Sequence, residues 1–564
     1  IQCDGRKPTC RLCETHQRNC EYPALRASRR RKYWDTDYVK SLEDQIQLLS
    51  GQSIHPTSGI GSTSGPSNRP DPASAPPRSL PEPRRSEKAL TDFTSLNWPV
   101  PGPSLDPLLF SGPTGYFTIP FRNPVPAFEP ENAVHAKPKA RSYSSLVDTT
   151  RNLTLKSKQH LKRIFIETIN PFFQFVDPAW LAFSDVFPNN DLVLQLLYSA
   201  VFGAAAYYSI VTPHDLRDSL LEYAESIVLE CCREHLCLPV IQSLLILSWV
   251  KHSTFETAAA YMYQYMAIGM STHMRVNEGD WQQHTSGAIT GDVVVGLEKR
   301  ASLRTFWSLV VLDGYSTATV GAPSRLPWDL GSTPSYLTTM PKEDIDLPAL
   351  AFEYHIRLTL WQREYLDPIY FANFTSLPQS DKYALFLKGY TALAALRKGI
   401  DSRLLLSRTS QPDKTQLVFW ISYNTSEMLL HRRFLDPTGA SAQHATAMRA
   451  VTAAANRTTR VLRTIQDLGA IHNLPPFAMY HVMRAAIVHL MNMTAEDERL
   501  RRAAVMRYRV CLDMLKKTVT TWQRFATVIL DFLQMTSASW GLSMLGAEGA
   551  DIDLVDDDSD EEST

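Results

Sequence analysis

Four of the eight cysteines in this 564-residue chain fall within its first 20 residues, at Cys3, Cys10, Cys13 and Cys20. The spacing is Cys-x6-Cys-x2-Cys-x6-Cys. A Cys-x2-Cys turn presents two sulfurs to one ion, and thiolates converging on a tetrahedron are what Zn2+ takes. Asp4-Gly5 and Pro8 shape the loop between Cys3 and Cys10. Thiols packed this closely in a charged, polar segment would otherwise invite oxidation. The cluster therefore points to a metal site in a reducing compartment and away from a secreted disulfide framework. Four incidental cysteines are the plainer alternative, and a free cysteine is ordinarily buried in apolar surroundings, not clustered among charges.

Arg26, Arg29, Arg30, Arg31 and Lys32 follow directly. Their chemistry is contact with phosphate, salt-sensitive and indifferent to base sequence; nuclear import uses the same kind of cluster. Alone, the run would be a solvated linker; beside four metal-ligating thiols it suits a polyanion. Charge is polarised along the chain: residues 1–32 hold nine Lys/Arg against three Asp/Glu, and residues 551–562 hold eight Asp/Glu and no Lys/Arg, within a net charge of −1. Next, Val39, Leu42, Ile46 and Leu49 step by three, four and three, an a/d coiled-coil seam on a short helix over 38–50. Two heptads are marginal for a free helix, so the seam is either a dimer contact or a face packed on its own domain.

Larger elements must carry these groups. With 44% hydrophobic and 10% aromatic residues the chain can build a sizeable core, which excludes a wholly disordered protein. Half of the 36 prolines lie between Pro56 and Pro138, mixed with Ser, Gly and Asn. Such a stretch cannot bury enough apolar surface to offset ordering entropy, so a disordered linker is expected over 51–158. Phe93, Trp98, Leu108, Leu109 and Phe110 are its candidates for local docking.

From about Leu161 to Leu545 the pattern is helix after helix. Leu303, Phe306, Trp307 and Val310 share one helical face, as do Val461, Leu462, Ile465 and Leu468, with Gly469 as a C-cap. Val510, Cys511, Met514 and Leu515 mark another face. Pro323, Pro327, Pro334 and Pro341 gather in one irregular stretch. No alternating β-branched run with hairpin turns and no fixed-period repeat is present. The expected fold is mainly all-α. Uncharged Leu192–Val211 is about long enough to span a bilayer, but Gln195, Ser199 and Ser209 within it favour a buried helix, and no membrane partner is expected.

Residues 3–13 (CDGRKPTCRLC) followed by Cys20-Glu-Tyr-Pro resemble the second half of the fungal zinc binuclear cluster, in which six cysteines hold two zinc ions. The resemblance makes Cys3 the third cysteine and a ligand of the first ion, Cys10 the fourth and a bridge, and Cys13 and Cys20 ligands of the second. Four thiolates hold at most one ion. The family's first two cysteines and its basic recognition segment, which reads CGG-type triplets at guanine O6 and N7, would precede Cys3, where only Ile1 and Gln2 stand; an upstream portion is therefore expected. Tyr38 to Ile46 (YVKSLEDQI) resembles the family's short parallel coiled coil, which sets half-site separation.

Pro239–Met274, Glu298-Lys-Arg, Arg304–Asp313 with Gly321-Ala-Pro323, Glu343–Pro348 and Leu429–Leu435 resemble the fungal transcription-factor middle homology region. Gly314 and Ala322 stand where that region carries arginines, which puts in doubt any ion pair built on them. The resemblance implies a regulatory domain, with a small-molecule effector and coactivators as further partners. Phe306, Trp307, Met262 and Met266 are candidate pocket residues, with plain core the favoured assignment.

No G-x-S-x-G elbow, P-loop or H-E-x-x-H occurs, so no enzyme is expected. Cys231, Cys232 and Cys237 with His235 match no standard ligand spacing and are expected in the core, while His252, His431 and His481 are expected to be structural or surface residues. Asp551–Glu562 mixes carboxylates with Ile552, Leu554 and Val555, as an activation segment or a solubilising tail would. The expected organisation is a partial zinc module (1–24), basic linker and dimer helix (25–50), linker (51–158), helical regulatory domain (159–546) and acidic tail (547–564). The expected function is that of a zinc-dependent, dimeric, nuclear regulator of RNA polymerase II genes, binding double-stranded DNA at CGG-like half-sites. A dimer partner that titrates full-length factors without binding DNA is the alternative, and an α-helical metabolite-binding protein or enzyme the third.

Overall fold

The computed structural model describes residues 85–94, 144–147, 153–178, 181 and 191–542, the last with short breaks at 255, 279–291, 321–323, 325, 371–373, 407–410 and 437–441. All of these lie in one compact unit, Pro81–Thr564. Among the described residues there are sixteen α-helices and no strand, which is the mainly all-α architecture expected.

Helix α1 (Arg85–Thr94) comes first, then α2 (Leu155–Ile164), which runs through a π turn (Phe165–Ile169) into α3 (Asn170–Phe173). Thr154 caps α2 by accepting the Ser157 amide at 3.1 Å. Helix α4 (Leu192–Ala206) starts where Asp191 accepts the Leu194 amide at 3.0 Å. It is buried on nearly every side and stops at Ala206, where Tyr207 and Tyr208 form a turn. No helix among the described residues is long and apolar enough to cross a membrane. Helices α5 (His214–Glu234) and α6 (Leu238–Ser253) pack on α4, and α7 (Thr257–His273) pairs with α6. Gly203 permits the close approach of α4 to α5: a Cβ there would sit 2.6 Å from Leu221 Cδ2.

The longest helix, α8 (Asp292–Val320), touches α6, α7 and α9 (Leu347–Trp361). Between α8 and α9 the proline-rich stretch makes three 3-10 turns, Leu330–Ser332, Tyr336–Thr339 and Lys342–Asp344. A second π turn (Gln362–Leu366) leads into α10 (Asp367–Tyr370), followed by α11 (Gln379–Lys398). A capping box of Asp413 and Gln416 opens α12 (Lys414–Arg432), most of whose residues are buried. It packs on α9 and on α13 (Ala442–Asp467). Gly469, at φ +63°, closes α13, with the Ala470 amide returning to Ile465 O at 3.1 Å. Helices α14 (Pro476–Asn492), α15 (Glu498–Thr518) and α16 (Gln523–Ser539) complete the domain, α14 buried over its whole length.

Two expectations change here. Helix α1 lies inside the stretch expected to be linker, and its Ala89 and Phe93 are buried. Arg432 Nε donates to Phe93 O at 2.8 Å, Trp540 Nε1 to Asp92 Oδ2 at 2.9 Å, and Lys88 Nζ to Ser539 O at 2.6 Å. A local composition bias does not stop ten residues from ordering when a groove hundreds of residues away covers their one aromatic. Met262 is neither core nor pocket residue: 48% of its surface is exposed on α7. Phe306 and Trp307 are core, and Met266 packs half-buried against it.

Candidate functional site

Cys3, Cys10, Cys13 and Cys20, the basic group Arg26, Arg29, Arg30, Arg31 and Lys32, and the seam Val39, Leu42, Ile46 and Leu49 lie outside the described residues, as does the acidic tail. The site that can be built from side chains is the centre of the helical domain.

Its first component is the segment Arg304–Asp313 of α8. Arg304, 4% exposed, donates Nη1 to Gln174 Oε1 at 2.8 Å and Nη2 to Asp177 Oδ2 at 3.3 Å. Ser308 Oγ donates to Gln174 O at 3.0 Å and Tyr336 OH to Gln174 Oε1 at 3.2 Å. Gln174 is held at φ 54°, a conformation rare for a residue with a Cβ. The motif thus acts as a clamp: one helix face fixes a left-handed bend just past α3. Trp307 extends it, donating Nε1 to Pro334 O at 3.0 Å and so tying down the irregular stretch.

At the far end of the motif, Asp313 is 3% exposed and accepts from Gln264 Nε2 at 2.9 Å and from Ser324 Oγ. Arg363 in the second π turn donates Nη1 to Ser324 Oγ at 2.7 Å. Ser324 thus links the Asp313 carboxylate to the Arg363 guanidinium. An arginine cannot simply be restored at position 314, because a Cβ there would lie 2.7 Å from Thr359 Cγ2 of α9. Burial holds the Asp313 carboxyl above the usual carboxylate range, with Ser324, Arg363 and Gln264 pulling it back. Asp367 is pushed up to about 7 by burial, against the pull of Arg363 and with Asp313 adding to the rise.

Two cavities flank the next residue, Tyr315. One lies between α8, α9, α12 and α14, bounded by Gly314, His355, Gln362, Ser422, His481 and Arg484, with room for little more than a water molecule. The other reaches toward Trp249 and His252 of α6 and Phe525 of α16. Tyr315, Phe477 and Tyr480 line both. Tyr315 and Phe477 stack with ring centroids 4.0 Å apart, and Phe173 meets both edge-on at 5.7 and 5.4 Å. Polar groups ring the first cavity. His481 Nε2 lies 3.2 Å from Ser422 Oγ, and Arg484 Nη1 is 3.4 Å from His481 Nδ1. His355, 4% exposed, has Nδ1 3.4 Å from Tyr315 OH and no partner for Nε2. Burial lowers the proton affinity of His355, to about 4, and of His481 well below its ordinary value.

Of the other sequence candidates, only Cys231 of its group lies in the core; Cys232 and Cys237 are half-buried and His235 is exposed. Cys231 is buried, and burial pushes its thiol up to about 12 and that of half-buried Cys232 up to about 11, so neither is a reactive thiolate. Among the described residues no group of three His, Cys, Asp or Glu is arranged to hold a metal. His431 is buried against Phe386, at a ring separation of 5.1 Å. Sequence reasoning passed over His355; its cue was a histidine and a glutamate inside the otherwise apolar α9 segment LPALAFEYHIRLTLW.

These features define an all-α domain whose motif residues lock helices around paired internal cavities. Residues 163–428 match the family model described as the fungal specific transcription factor domain. No curated protein matches the chain. The match runs from α2 into α12. Helices α13 to α16 lie beyond it, yet α14 supplies Phe477, Tyr480, His481 and Arg484 to the cavity.

Proposed function

We propose that the chain is a zinc-dependent, sequence-specific regulator of RNA polymerase II transcription, acting in the nucleus as a dimer on paired CGG-like half-sites. The carrying observation is that a fungal specific transcription factor domain at 163–428 shares one chain with the cysteine module at Cys3–Cys20. The donor set suits the metal: four clustered thiolates are soft ligands that Zn2+ binds in structural sites. Cys3, Cys10, Cys13 and Cys20 would hold it, and the ion would supply a cross-link in a segment too small for a core of its own. Arg26, Arg29, Arg30, Arg31 and Lys32 would neutralise phosphates, while Val39, Leu42, Ile46 and Leu49 would join two copies and set the distance between half-sites.

Native mass spectrometry on the protein from its complete reading frame tests this reading. The expected species is a dimer that carries zinc and loses it to a chelator. A zinc-free monomer under the same conditions would overturn both the metal and the dimer assignment.

A further inference from the structure

Helix α11 keeps an apolar face in solvent. Of its twenty residues only Gly389 and Leu393 are buried. Tyr383, Leu387 and Tyr390 recur at i, i+4 and i+7 on the outer side, each nearly half exposed. Tyr383 and Tyr390 stack on Phe386, with ring centroids 6.3 and 5.9 Å away, and Phe386 packs on His431 and Phe434 at the end of α12, so the ring row is held in place. Cations border the row. Lys388 follows Leu387, and Arg397 and Lys398 stand in the last turn. At the other end Lys382 and Arg433 line a cleft of about 330 Å³, with Asp436 as the acid there. The helix itself carries four cations against one carboxylate, Asp381.

Such a face selects a segment that joins aliphatic side chains to negative charge. A second α11 would bring its own excess of cations against these, and duplex DNA would leave the rings uncovered. The chain itself holds the complement: Asp551–Glu562 carries eight carboxylates and no Lys or Arg around Ile552, Leu554 and Val555. Leu542, the last described residue, lies close by. Trp540 bonds Asp92 of α1, Phe93 of α1 bonds Arg432, and the adjoining His431 touches Phe386 and Tyr390. The eight residues 543–550 reach up to about 30 Å, and a tether that short supplies a local concentration on the order of mM. We propose that residues 551–562 dock on α11 of the same molecule, Ile552, Leu554 and Val555 covering Tyr383, Leu387 and Tyr390, and the carboxylates that follow facing Arg397 and Lys398. The lengths agree: Tyr383 to Tyr390 spans about 10 Å of helix, as does Ile552 to Val555 when extended. Docked, the tail hides the side chains it would offer any other partner. The inference goes beyond DNA binding and is read without DNA.

The test places the photo-cross-linking residue p-benzoylphenylalanine at position 387 of the full chain, where the half-exposed Leu387 leaves room for it. After illumination and digestion, mass spectrometry finds cross-links from 387 to residues 547–562 of the same copy. Replacing Ile552, Leu554 and Val555 together by Ser lowers their yield at least about tenfold. Arg397→Glu with Lys398→Glu, both on the exposed surface, lowers it about threefold or more, and added salt lowers it as well. The same reagent at Met262 is the control, because α7 is as apolar but has no Asp, Glu, Lys or Arg; it captures little of the tail. Cross-links from 387 that miss the tail, or that join two copies, overturn the proposal. So does equal capture at Met262, or a yield that the triple Ser variant leaves unchanged.

Discussion

Replacing Phe93 by Ala tests whether α1 belongs to the helical domain. Phe93 is 1% exposed and lies under the Arg432 guanidinium, 5.4 Å from the ring centroid. Emptying such a site costs about 3–5 kcal/mol. A ten-residue helix has no stability of its own in water, so docking is what keeps α1 helical, and the loss falls on the docking equilibrium itself. At about 1.4 kcal/mol per tenfold, the docking equilibrium constant drops by two to nearly four powers of ten. The bonds from Lys88 to Ser539 O and from Trp540 to Asp92 add modestly, and their geometry fails with the anchor. Hydrogen exchange reads the outcome directly. In the parent protein the amides of 89–94 exchange slowly; in Phe93→Ala they approach unprotected rates, while the buried helices α12 and α14 stay protected. Trypsin then cleaves at Arg85 and Lys88 in the variant first. Unchanged protection of 89–94 in a variant of proven identity would refute the docking account.

Other outcomes follow from the same packing. Arg304→Met leaves Asp177 and Gln174 without their buried partner and lowers stability by about 3–5 kcal/mol; a loss below about 1 kcal/mol by denaturant titration would contradict the clamp. Asp367, pushed up to about 7, favours unfolding as pH rises from its ordinary range through 7, because the unfolded chain ionises more easily. Asp367→Asn therefore raises Tm at pH 8, and an unchanged or lower Tm there would count against the assignment. The buried histidines act in the opposite sense. His252, His355 and His431 are held at about 4 and His489 at about 3. Below their unfolded value of about 6.5 the unfolded state binds more protons, so stability falls as pH drops from about 6.5 toward 4. The fall is steeper in Asp367→Asn, which removes the opposing group.

What the sequence revealed, it revealed where periodicity has one meaning. Leu303, Phe306, Trp307 and Val310 form a buried face, Val461, Leu462 and Ile465 another, and Gly469 closes its helix at positive φ. Met262 shows the limit: α7 is apolar on every side, so no stripe distinguishes core from surface, and Met262 stands exposed. Docking of α1 depends on Arg432, 339 positions from Phe93, a pairing that spacing cannot express. The cavity takes walls from α8, α9, α12 and α14, so His355 could be marked only as a polar residue out of place in an apolar helix. The cysteine module lies outside the described residues, and its expected chemistry rests on local spacing alone.

The central claim is that zinc held by the cysteine module gives this regulator its DNA specificity. Fluorescence anisotropy on the protein from its complete reading frame, at physiological salt, measures it most directly, with paired CGG half-sites against a scrambled duplex, before and after zinc chelation. The account predicts at least about a thousandfold preference for the paired sites, lost on chelation and restored by zinc, with residual binding that falls as salt rises. Equal affinity for both duplexes, or a preference that survives removal of the metal, would contradict it.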